Sequence, residues 1–238
     1  MSGWLSPAAG VSSETRLRLF CLPYAGGGAG VFRAWRDLLG PAVDVRGVCL
    51  PGRESRFTEP RYRKMDELVD DLVKALDEHV TGLPYALFGH SLGALVAYEL
   101  AARLAVPSVR LIVSGSRAPR FAGTERRLSD LPDGALVRAL TELGGMPPGV
   151  LAETELLETM LPMVRDDLAL ADDYRPAPRP PLSCPVTALC GDADGSAPPW
   201  SMTAWKEVTT GPFTLRVLPG EHFFVHDDRI VHEVRQSL

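Results

Sequence analysis

The chain has 238 residues, of which 45% are hydrophobic and 23% charged, with a formal net charge of −5. That length suits one large α/β core, and the acidic balance argues against a general nucleic-acid binder. No charge-free apolar run of about 18 residues occurs, which argues against a transmembrane span. The first residues, MSGWLSPAAGVSSETRLRL, lack a basic stretch followed by an apolar one. They predict a loose leader without a signal peptide, in a cytoplasmic protein. Cys21, Cys49, Cys184 and Cys190 lie in or beside strand-like runs and form no C-x-x-C pair. This pattern predicts free core thiols rather than a zinc site.

In chain order, LRLFCL (17–22) predicts a strand and VFRAWRDLL (31–39) a helix. VDVRGVCLP (43–51) predicts a strand ending in a Pro-Gly turn. MDELVDDLVKALDEHV (65–80) is the clearest helix, with Met65, Leu68, Val69, Leu72, Val73 and Leu76 on one face. YALFG (85–89) predicts a strand and LGALVAYELAARLA (92–105) a helix apolar nearly all round, hence deep in the molecule. VRLIVSGS (109–116), PVTALCG (185–191) and FTLRVLPG (213–220) predict further strands, and HFFVHDDRIVHEVRQSL a closing helix. Near-continuous apolar strands alternating with helices predict a mostly parallel sheet covered on both faces.

Between two of these strands lies a long segment without strand character. Leu136, Val137, Leu140 and Leu143, then Leu156, Leu157, Met160, Leu161, Val164 and Leu168, give it helical patterns. Its apolar residues face more than one side. This predicts a helical lid insertion, residues 117–180, over a ligand cleft within one domain spanning 1–238.

Gly89-His90-Ser91-Leu92-Gly93 matches G-x-S-x-G. The pattern alone is weak, but it falls between a strand and a helix, where a nucleophile elbow sits. A serine nucleophile needs a base and an orienting carboxylate, arriving in the order Ser, acid, His. Asp192 and Asp194 follow PVTALCG, and His222 and His226 follow FTLRVLPG, each pair just past a strand's carboxyl end. His222 is the better base, because His226 lies four residues further on. His90 should point away from the serine hydroxyl, and His79 and His232 belong to helical surfaces. Between Asp194 and Asp192 the pattern alone does not choose. Backbone N–H groups of Leu92 and of the Gly-rich loop Pro23-Tyr24-Ala25-Gly26-Gly27-Gly28 would hold an oxyanion. Ala25 is the second donor, with Tyr24 the alternative. The glycines are expected to allow close approach of a substrate.

LFCLPYAGGG, LPGRESRFTEP, LFGHSLGALVAYELA, LPMVRDDLALADDY, LCGDADG and LPGEHFF, in that order, resemble the stand-alone type II thioesterases of polyketide and nonribosomal peptide synthesis. The resemblance implies an α/β-hydrolase fold with a helical lid over an acyl pocket. It implies a triad of Ser91, Asp194 and His222, with Ala25 and Leu92 as the oxyanion hole. It also implies hydrolysis of acyl groups from the phosphopantetheine arm of acyl or peptidyl carrier proteins by a monomer that uses no metal or cofactor. Tyr24 stands where histidine is common in that family, Gly195 where proline is frequent, and Glu221 where a small or polar residue is common. Arg117, Arg120, Arg126 and Arg127 are candidate contacts for an acidic partner. The rival readings are a general carboxylesterase with the same triad, a chain-releasing or cyclising thioesterase, and a catalytically silent binding module.

Overall fold

The computed structural model describes residues 3–7, 12–124, 126–146 and 148–238. Six strands form one sheet: β1 (Leu17–Leu22), β2 (Val43–Gly47), β3 (Tyr85–His90), β4 (Arg110–Ser114), β5 (Val186–Gly191) and β6 (Phe213–Leu218). Their order is β2-β1-β3-β4-β5-β6, and every neighbouring pair is parallel. All six strands fall where the apolar runs place them. A parallel sheet needs crossovers, and the helices α1 (Trp35–Leu39), α2 (Met65–Leu76), α3 (Leu92–Arg103), α7 (Pro199–Thr203) and α8 (Asp228–Ser237) sit within them or, for α8, after the last strand. Between β4 and β5 lie α4 (Asp133–Glu142), α5 (Pro148–Leu151) and α6 (Thr154–Asp172).

Side chains alternate across the sheet, so each strand serves two cores. Phe20, Leu22, Leu87, Leu111 and Val113 pack with α2, α3 and Trp205. Leu19, Cys21, Ala86, Phe88 and Ile112 pack on the other face with Trp35 of α1 and Ile230 and Val234 of α8. As its composition predicts, α3 buries every residue from Leu92 to Leu100. All four cysteines are free and buried. No helix among the described residues is long and apolar enough to cross a membrane.

Several boundaries differ from the sequence reading: β2, expected over 43–51, ends at Gly47, and the helix expected over 65–80 ends at Leu76 and is followed by a 3-10 turn, Asp77–His79. The helix expected over 31–39 is broken into a 3-10 turn, Ala29–Phe32, and α1. The closing helix starts late, because Phe224–His226 is a 3-10 turn and Asp227 caps α8 by accepting from Arg229 N–H. The N-terminal residues 3–7 are no loose leader. Leu5 bridges Val48, Ser6 N–H donates to Gly47 O at 2.8 Å, and Trp4 is buried under the Arg56 guanidinium, 3.7 Å from its ring centre. The turn of helix formed by α7, with Trp205 just beyond it, carries no periodic signal in the sequence.

The segment between β4 and β5 has a small core of its own, centred on Leu136, Leu140, Leu161, Met163 and Val164. Within it, Asp172 accepts from Ser129 N–H and Oγ. Its C-terminal end is tied to the body where Tyr174 donates to Glu99 of α3 at 2.6 Å. Glu99 is 1% exposed and also takes Arg103 and Arg179, so its buried charge is fully met. Pro162 lies inside α6, where it removes one helical hydrogen bond.

Because Leu100 is wholly buried between α3 and the sheet, Leu100→Ala should lower the urea unfolding free energy by about 2–5 kcal/mol. Leu156→Ala, at a site 42% exposed, should change it by less than about 0.5 kcal/mol.

Candidate active site

The site is built at the carboxyl end of β3. Ser91 takes φ 54° and ψ −120°, the left-handed conformation of a nucleophile elbow, and its N–H donates to Ser114 O at 2.8 Å. The flanking glycines are required by contact. A Cβ on Gly89 would lie 2.0 Å from Gly93 O, and one on Gly93 would lie 2.2 Å from Leu22 O and 2.6 Å from Pro23 O. The first turn of α3 is thus pressed against the end of β1, and the strained serine stands at its N-terminus. Leu92 N–H, at the first helical position, has no intrahelical partner by construction.

Asp194 and His222 meet at the ends of β5 and β6. His222 Nδ1 lies 2.9 Å from Asp194 Oδ2. The other carboxylate oxygen accepts from Ser196 N–H at 2.9 Å, Ser196 Oγ at 2.7 Å and Ala197 N–H at 3.1 Å. Burial pushes this carboxyl up, but the hydrogen bond and charge of His222, with the Ser196 and Ala197 donors, outweigh it and hold the pKa at about 2. An ionised carboxylate only accepts, so His222 Nδ1 carries a proton, and in the neutral imidazole that tautomer leaves the lone pair on Nε2. Ser91, Leu92, Ala25 and His222 all line one cavity of about 670 Å³. Among the described residues, Ser91 Oγ and Ala25 N–H have no hydrogen-bond partner.

The structure separates the competing candidates. Asp192 is exposed, and its Oδ1 accepts from Gly220 N–H at 2.9 Å, which links the two loops without touching a histidine. His226 bonds Tyr24 Oη through Nε2 at 3.0 Å. His90 is wholly buried, with Nδ1 2.9 Å from Ser114 Oγ, and Nε2 has no partner. Burial, then the nearby His222, lower its pKa well below the usual imidazole value, so it stays neutral. His79 is half-buried and His232 is exposed on α8.

Several participants left no mark in the sequence reading. Ser196 completes the turn that cradles Asp194, and Asp-x-Ser spacing in GDADGSA is the signal that would have found it. The Tyr24–His226 bond ties the Gly-rich loop to the loop of His222, with Phe223 edge-on to Tyr24 at 4.9 Å. The Gly-rich loop also differs from expectation. Its glycines give way to protein, not to substrate: a Cβ on Gly26 (φ +82°) would meet Val164 of α6 at 2.8 Å, and one on Gly28 would meet Glu54 Oε1 at 2.4 Å.

The cavity runs from the serine under the inserted helices. Leu95, Leu128, Leu140, Leu143 and Leu168 line it, with Arg126, Glu142 and Asp172 supplying charge. The arginine cluster is not a free basic patch. Arg120 pairs with Glu207, Arg127 with Asp130 and Asp173, and Arg117 donates to Ser196 O while lying over the Trp200 ring. Among the described residues no group of three or more His, Cys, Asp or Glu could hold a metal ion.

A strand-turn-helix serine and a histidine on one wide cleft, the histidine backed by a buried late carboxylate, define an α/β-hydrolase. Residues 17–238 match the family model described as a thioesterase domain, and the chain belongs to that family. It is a hydrolase acting on thioesters. Thioesterase PikA5 of Streptomyces venezuelae is 40% identical over 218 residues, covering 90% of this chain and 77% of that protein. RedJ, a thioesterase from the prodiginine biosynthetic pathway in Streptomyces coelicolor, is 42% identical with a TM-score of 0.89, covering 94% of this chain and 86% of that one. BorB, the type II thioesterase from the borrelidin biosynthetic cluster, is 37% identical with a TM-score of 0.88, covering 98% and 96%.

The low pKa of Asp194 predicts a pH effect on stability. The folded carboxyl titrates near 2 and the unfolded one near 3.9. Its contribution, of order 2 kcal/mol, is therefore complete above the unfolded value and lost as pH falls through the folded one. The stability gap between wild type and Asp194→Asn, read by urea unfolding, should be constant near neutrality and shrink between about pH 4 and 2. Gly93→Ala should abolish soluble folded enzyme in an expression and melting assay, because the colliding atoms are backbone.

Proposed function

We propose that this thioesterase removes acyl groups from the phosphopantetheine arm of acyl or peptidyl carrier proteins, editing stalled or aberrant units in polyketide or nonribosomal peptide assembly. The relatives support the setting: RedJ belongs to the prodiginine pathway and BorB to the borrelidin cluster. The observation that carries the chemistry is the Asp194–His222 pair, whose imidazole lines the same cavity as the strained Ser91.

In the proposed mechanism, Ser91 Oγ attacks the thioester carbonyl while His222 Nε2 takes its proton. Asp194 holds the tautomer and stabilises the imidazolium that forms. Leu92 N–H and Ala25 N–H hold the oxyanion. The thiol leaves with the proton from His222. Water, deprotonated by His222, then hydrolyses the acyl-enzyme to free acid and restores the serine. None of these steps calls for a metal or cofactor. The inserted helices act as a lid over the acyl group, within a single domain. The four free thiols fit a reducing compartment, so the cytoplasm is the proposed location. The protein is proposed to act as a monomer, away from nucleic acid and membrane.

A hydrolysis panel tests this reading. Acyl groups of different lengths on a carrier protein should be cleaved faster than the same acyl groups on a small oxygen ester. Equal or slower cleavage would make the protein a general esterase. Ser91→Ala should lower kcat by at least about 10³-fold, and Asp194→Asn by about 10²- to 10⁴-fold. Asp192→Asn should retain activity within about tenfold. Loss in the Asp192 variant alone would reassign the acid.

A further inference from the structure

Ala25 N–H is a useful oxyanion donor only if its loop is fixed. The loop is gripped from two sides by charged residues that do not line the cavity. From α6, Asp167 Oδ2 accepts from Gly26 N–H at 2.8 Å. The same carboxylate takes both terminal nitrogens of Arg53, at 2.6 and 2.7 Å. That guanidinium also donates to Gly27 O at 2.9 Å and Pro51 O at 3.3 Å. On the other side, Glu54 accepts from Ala29 N–H at 3.2 Å and Gly30 N–H at 2.8 Å. The Arg53 and Asp167 side chains are 5% and 4% exposed.

Both charges of this buried pair need further hydrogen bonds, and both take them from the oxyanion loop. Asp167 binds Gly26 and Arg53 binds Gly27, the two residues after Ala25, and Val164 of α6 packs where a Gly26 side chain would be. The segment that roofs the cavity therefore also sets the direction of the amide beside the nucleophile. We propose that Asp167, locked by Arg53, is a positioning residue that aims Ala25 N–H at the oxyanion, so that α6 and the oxyanion loop work as one unit.

This inference rests on the Ser91 mechanism above and is tested apart from the carrier-protein reading, with a p-nitrophenyl ester as substrate. Removing one buried charge strands the other, so Asp167→Ala is expected to fold poorly. Asp167→Asn and the paired Arg53→Met/Asp167→Leu variant avoid that. In either variant that keeps a cooperative thermal melt, kcat should fall, by about 3- to 10-fold for the first and about 10- to 100-fold for the second, a milder loss than deleting an oxyanion donor outright. KM should move by less than about threefold, since the loss lies in the transition state. Affinity for a trifluoromethyl ketone analogue, which forms the tetrahedral oxyanion, should drop in parallel with kcat/KM. Unchanged kcat and analogue affinity in a folded variant would overturn the inference and leave the pair purely structural. A rise in KM alone would overturn it too, making α6 a wall of the acyl pocket. Labelling of wild-type Ser91 by a fluorophosphonate separates the failures. An unlabelled wild type overturns the mechanism and this inference with it, and a labelled wild type with flat variants overturns this inference alone.

Discussion

The close approach of two backbones underlies the rest of the site. The first turn of α3 lies so near the end of β1 that only a glycine fits at position 93, with Leu22 O and Pro23 O closing the space. Ser91 is forced into positive φ by the turn that makes this approach possible. Such a conformation costs about 1–3 kcal/mol and survives because buried neighbours fix it on every side. The contact also joins the two halves of the site. Pro23 begins the Gly-rich loop, so the packing that lifts the serine also seats the start of the segment that faces it.

Charge is placed with equal economy. Arg53, Asp167, Glu99 and Asp194 are all nearly inaccessible to solvent, yet each has several partners. Asp194 illustrates the balance: burial alone would favour its neutral form, and three donors with the imidazole reverse that. The anchors of α6 to the body lie after Pro162, at Asp166, which pairs with Arg61, and at Asp167, which pairs with Arg53. The half of the helix before the proline relies on apolar packing within the insertion.

The strands were legible because parallel strands buried on both faces read as continuous apolar runs, and Ser91, Asp194 and His222 were legible because each follows the end of one. Boundaries were less so. The helix expected at 31–39 splits into a 3-10 turn and α1, and the first N–H groups of that turn, at Ala29 and Gly30, are held by Glu54, distant in sequence. Spacing alone did not choose between Asp194 and Asp192; the resemblance pointed to Asp194, and the turn made by Ser196 sets that carboxylate beside His222. Arg53 and Asp167 lie in stretches that carry the family resemblance, but their pairing was invisible for a simple reason. Their bonds span 114 residues, and a salt bridge across that distance leaves no periodic trace. Trp4 was read as leader because a lone tryptophan among small residues has no period either, although its partner Arg56 covers its ring.

A thioester hydrolase releases a thiol at every turnover, and the buried cysteines bear on what that thiol meets. Burial raises the Cys21 thiol well above its usual value, and it is the largest influence bringing Cys49 and Cys190 to about 11. At neutral pH these sulfurs are protonated and sealed from solvent, so they neither attack a disulfide nor trap an oxidised product. The chain can therefore work amid released thiols with no mixed disulfide forming at these three positions.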